Sequence, residues 1–73
     1  MHIYSTISLG KLIKQKRQEM KMTQREFGNI VDLHRTYIGA IERGEKNVTL
    51  ETLIKLLDHL DLDLFLKKHE LPF

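Results

Sequence analysis

The chain has 73 residues, no cysteine, four histidines and a formal net charge of +2. That length allows one domain with a modest core, excludes a disulfide staple and argues against a Cys/His zinc site, so pairing with a second copy is the remaining common route to further burial. The charge is uneven: residues 1–46 hold nine Lys/Arg against five Asp/Glu, and residues 47–73 hold three against five, which is either ordinary surface charge or a basic front for a polyanion and an acidic back for a protein partner.

The first ten residues lack the basic segment and apolar run of a secretory leader. No apolar stretch nears the roughly 20 residues of a membrane span. The expectation is a soluble cytoplasmic protein with no membrane partner.

Ser5 or Thr6 caps a first predicted helix that runs to about Met20, with Leu9, Leu12, Ile13 and Met20 at helical spacing. Gly10 inside it costs on the order of 1 kcal/mol against alanine, so it marks close packing or is simply tolerated. Thr23-Gln24-Arg25-Glu26 is a capping box, with Met22 and Phe27 placed for a hydrophobic staple. A second helix therefore starts at Gln24 and stops near Val31, because Asp32 is a turn former. A third runs from His34 or Arg35 to Arg43, and Gly44 ends it in the left-handed position that glycine adopts easily.

Thr49 caps a fourth helix, about residues 50–60. Leu50, Leu53, Leu57 and Leu60 form a stripe expected to face the core. Ile54 and Leu56 lie off it, and such surplus apolar surface suits a subunit interface. At 62–66 the period changes: Leu62, Leu64 and Leu66 alternate with Asp63 and Phe65. The pattern reads as a short strand or as a helical extension. A lone strand needs a partner for its backbone groups, and the same strand of a second copy supplies one across a two-fold axis. Residues 67–73 read as a tail.

Two short helices joined by a three- or four-residue turn, the first opening Thr-Gln, make a helix-turn-helix plan. Gln24 and the free N–H groups at its helix start suit a phosphate, and the helix after the turn suits the major groove. Here the stretch TQREFGNIVDLHRTYIGAIERGEKNVTLETL resembles the Cro/C1-type, or XRE-type, domain. The resemblance covers roughly residues 8–60. It includes Gln24, Gly28, Ile38, Ile41, Glu42-Arg43-Gly44, Asn47 and Thr49-Leu50-Glu51. Asp32 departs from it, standing where the family usually has glycine; Asp tolerates the left-handed region better than most residues.

The resemblance implies an all-α, four- to five-helix, lambda-repressor-like DNA-binding domain filling residues 1–73. Its core would span about 8–60, with the strand of 62–66 pairing across a dimer. It implies that His34, Arg35, Thr36, Tyr37, Gly39 and Ala40 face the bases. Arg35 is foremost, since its fork fits guanine O6 and N7 together. His34 is alternatively a helix-start residue, and Tyr37 a half-buried packing residue. Gln24, Arg25, Arg43, Lys46 and Asn47 are expected at phosphates, with Arg25 and Lys46 alternatively part of a solvated basic surface. Arg17 and Glu42 occupy positions where the family pairs an arginine of the first helix with a glutamate ending the recognition helix. The expected dimer interface is Ile54, Leu56, Leu62, Leu64 and Leu66. No catalytic motif, metal site or cofactor site is found, so an enzyme is not expected.

Two end features, Ile3-Tyr4-Ser5 and the strand, resemble HipB-like antitoxins, whose partner is a HipA-like kinase toxin. The RTYIGAIERGEKN run resembles restriction–modification or phage-type controllers. The expected function is therefore a homodimeric, autoregulatory repressor on a palindromic operator in a HipBA-like module. The alternatives are a stand-alone controller and a protein-interaction adaptor without DNA specificity.

Overall fold

Four helices organise residues 6–62, the part of the chain that the computed structural model describes: α1 (Thr6–Glu19), α2 (Gln24–Val31), α3 (Arg35–Glu42) and α4 (Leu50–His59). No strand occurs among the described residues. Ser5, Leu64, Leu66 and most of the expected strand lie outside them. Two of the four helices, α2 and α3, are short and joined by the tight turn of residues 32–34, a helix-turn-helix arrangement.

Each boundary has a local cause. Thr6, one of two expected caps, is already helical; its hydroxyl instead donates to the Gly44 carbonyl at 2.9 Å and ties the start of α1 to the turn just beyond α3. The capping box of α2 is complete, with Glu26 N–H donating to Thr23 Oγ1 at 3.0 Å and Thr23 N–H donating to Glu26 Oε1 at 2.8 Å. Asp32 ends α2 in the left-handed region at φ 58°, and Leu33 N–H then closes on the Gly28 carbonyl at 2.8 Å. Gly28 has no β-carbon to obstruct the Leu33 carbonyl that folds over it. Gly44 takes φ 77° after α3, and Thr49 caps α4. Replacing Thr23 by Ala should cost about 1 kcal/mol. By circular dichroism that is a melting temperature lower by roughly 4–8 °C, with Thr23→Ser close to the parent.

The core is built from α1 (Leu9, Ile13), α2 (Phe27, Val31), α3 (Ile38, Ile41) and α4 with its C-cap (Leu56, Leu60). Residues on a helix turn by about 100° each, so 53, 56, 57 and 60 share one arc and 50 and 54 fall at its margin. This corrects the reading of α4. Leu56, expected at a subunit interface, is 0% exposed inside the protomer's own core, and Leu50, expected in the core, is 63% exposed. Leu50 and Ile54 together form an exposed apolar edge. Leu62, also expected at the interface, packs against the protomer's own core and donates its N–H to the Leu57 carbonyl. No helix among the described residues is long and apolar enough to cross a membrane.

Candidate nucleic-acid interface

Helix α3 is held from behind by one carboxylate. Glu42 receives two hydrogen bonds from Arg17 of α1, at 2.6 Å from Nε and 2.9 Å from Nη2. Arg17 also donates to the Met22 carbonyl at 2.7 Å, and Gln24 of α2 donates to Glu42 at 3.1 Å. The Arg17 and Glu42 side chains are 9% and 3% exposed. The pairing raises the Arg17 guanidinium above its ordinary value, against the opposing effect of burial. One ion pair thus joins α1, the turn after it, α2 and α3.

The front of α3 is open. Arg35 and Thr36 are exposed at its first turn. His34 is the N-cap: its Nδ1 accepts the Thr36 N–H at 3.1 Å and lies 2.8 Å from the Thr36 hydroxyl. His34 therefore serves the helix start whether or not its ring meets a ligand. Arg25, His34 and Arg35 line a cleft of about 150 Å³ with Leu33 and Asn29. Asn29 stands one helical turn beyond Arg25, and nothing in its local sequence distinguishes it.

Further along α3 the outward face differs from expectation. Ala40 is only 7% exposed and belongs to the buried side of the helix, not to a base-facing one. Tyr37 is half-buried and packs against the core. Gly39 is covered: a β-carbon placed there would lie 3.1 Å from Arg43 Nη1 and 3.5 Å from the Gln24 amide. Arg43 is the C-cap of α3, and its guanidinium pairs with Glu45 through Nε at 2.8 Å and Nη2 at 3.2 Å. The hydrogen bond from Arg43 holds the exposed Glu45 carboxyl below its ordinary value. The clamp is therefore complete at neutral pH and is lost only as pH falls through that lowered value. Lys46 and Asn47 follow in the exposed loop. Glu45 was not singled out by sequence reasoning; its signal is a carboxylate two residues after an arginine that ends a helix.

Gln24, Gly39 and Arg43 thus form one group, and Arg25, His34 and Arg35 another. Lys46 and Asn47 follow in the loop after α3, and the Lys46 charge also acts to lower Glu45.

The profile of the family described as Helix-turn-helix matches residues 13–66. Control protein C.SmaI of Serratia marcescens is 43% identical over 53 residues, which are 73% of this chain and 63% of that protein. The chain therefore spans less than two thirds of the length of that relative. Among solved structures, the restriction–modification controller protein C.Esp1396I, a tetramer in complex with its natural 35-base-pair operator, is 31% identical with a TM-score of 0.74, covering 85% of this chain and 82% of that one. A HipB–O4 20mer complex is 30% identical with a TM-score of 0.79, covering 96% of this chain and 99% of that one.

Proposed function

This chain belongs to the helix-turn-helix family of DNA-binding regulators, and from that premise we propose that it is a sequence-specific transcriptional repressor acting as a homodimer on a palindromic operator. The observation that carries the reading is the exposed start of α3, where Arg35 and Thr36 stand clear of a helix locked in place by Arg17 and Glu42. Arg35 reads a base edge in the major groove, with Thr36 beside it and His34 and Tyr37 at the margins. Gln24, Arg25, Lys46 and Asn47 bind phosphates. Two copies meet along the Leu50 and Ile54 edge of α4 and place their recognition helices roughly 34 Å apart, one DNA turn. The protein works in the cytoplasm.

The controller form of this reading, an autoregulatory protein that represses its own operon, draws support from the 43% identity to Control protein C.SmaI. A second reading is favoured by a different observation. The HipB likeness runs over 96% of the chain, nearly end to end. It supports an antitoxin that also binds a HipA-like kinase toxin through its acidic back half. Purification with or without such a kinase from the native operon separates the two.

The test of operator binding is a salt-controlled selection from a random duplex library that includes the region upstream of the chain's own operon. A palindrome near that promoter, with binding that weakens steeply with salt, is expected. Arg35→Ala should then lose about 1–3 kcal/mol of discrimination at one base pair per half-site. Equal weakening on every sequence would make Arg35 a phosphate contact, and no enriched sequence would leave the fold serving an adaptor.

A further inference from the structure

Arg35, Gly39 and Arg43 stand four residues apart along one ridge of α3 and its C-cap. The middle position has no side chain, and the Arg43 guanidinium lies across it, with Nη1 3.1 Å from the place of a β-carbon and the Gln24 amide alongside. Arg43 is 60% exposed at its side chain, so an unassisted guanidinium there would sample many orientations. Glu45 removes that freedom by holding the Nε and Nη2 donors together. The end of the fork, with the outward protons of Nη1 and Nη2, is left for a ligand.

A phosphate accepts hydrogen bonds over a wide range of directions and gains most from plain positive charge. A carboxylate beside Arg43 weakens that attraction, so Glu45 is poorly explained if Arg43 grips the backbone. Guanine is different. Its O6 and N7 accept two parallel N–H groups at fixed spacing, and a fork oriented beforehand loses less freedom on meeting them.

We infer that Arg43 is a second base-reading arginine, specific for guanine, with Glu45 and Gly39 as the residues that position it. The inference rests on the DNA-binding reading above and replaces the phosphate role expected for Arg43 from sequence. Glu45 then trades non-specific affinity for discrimination.

The experiment repeats the random-duplex selection with Arg43→Ala, Glu45→Ala and Gly39→Ala, and measures binding of each variant to the selected duplex and to a scrambled one. All three should relax guanine preference at one further base pair per half-site, by roughly fivefold to a hundredfold. The pair read by Arg35 should keep its preference. On the scrambled duplex Glu45→Ala should bind as tightly as the parent or more tightly, because a negative charge facing the phosphates is gone. Uniform weakening of all sequences by Arg43→Ala overturns the inference, and so does a Glu45→Ala protein with the parent's motif or with equal losses on both duplexes. A parent protein that enriches no motif fails earlier, at the operator-binding reading, and takes this inference with it.

Discussion

Arg17→Ala and Glu42→Ala should each destabilise the protein by about 3–5 kcal/mol, because each leaves a buried charge without its partner. Stability of a chain this size is about 4–11 kcal/mol in all, so either change removes much of it. The loss has more than one component. Without Glu42, the Gln24 amide and the Arg17 fork lose an acceptor; without Arg17, the Met22 carbonyl loses its donor. The sum of the single losses should therefore exceed the loss in an Arg17→Met/Glu42→Leu double variant, where no charge is left stranded. That variant still leaves Gln24 and the Met22 carbonyl short of partners, at about 1–3 kcal/mol if they remain buried. Urea unfolding of the parent, the matched singles Arg17→Met and Glu42→Leu, and the double variant measures the coupling. Single losses below about 1 kcal/mol would mean that the pair behaves as a surface salt bridge and does not set the position of α3. DNA binding should fall with the folded fraction in the single variants and return in part in the double one.

That ion pair was legible only through family resemblance, since no local pattern links residues 25 positions apart. The helix boundaries were legible from chemistry alone. Thr23 and Glu26 state a cap in four residues, and Asp32 and Gly44 state two chain reversals, because caps and turns are decided within one helical turn of sequence. What failed was the choice among apolar residues on α4. Leu50 and Leu56 are chemically identical, and a stripe can be drawn through either; the angle at which α4 meets the other helices decides, and that angle is set by residues far away in the chain. Ala40 failed for a related reason, as helical position alone does not fix which arc of α3 the core claims. Gly39 was placed on the outward face, yet sequence could not foresee that Arg43 and Gln24 lie across it. The two short end features favoured the antitoxin form, whereas the 43% identity to Control protein C.SmaI favours the controller form.

Glycines 10 and 39 give the same substitution with opposite expected signs. Both lie inside helices, where glycine to alanine ordinarily stabilises by roughly 0.5–1 kcal/mol. At Gly39 the new methyl meets only the ends of the Arg43 and Gln24 side chains, which can swing aside. Gly39→Ala should keep that gain and melt a few degrees higher, whatever it does to DNA discrimination. At Gly10 the methyl meets the backbone carbonyl of Ile41, and lies 2.6 Å from that of Glu42. Neither oxygen can move without shifting the end of α3, and Thr6 further pins α1 to the Gly44 carbonyl just beyond it. Overpacking of this kind typically costs 1–3 kcal/mol, and the rigid neighbours place Gly10→Ala toward the upper end, about 2 kcal/mol net destabilising. Thermal unfolding of the two variants beside the parent reads both signs at once. A Gly10→Ala protein as stable as the parent would show that α1 and α3 are not in close backbone contact, and that α1 fixes α3 through Arg17 and Glu42 alone.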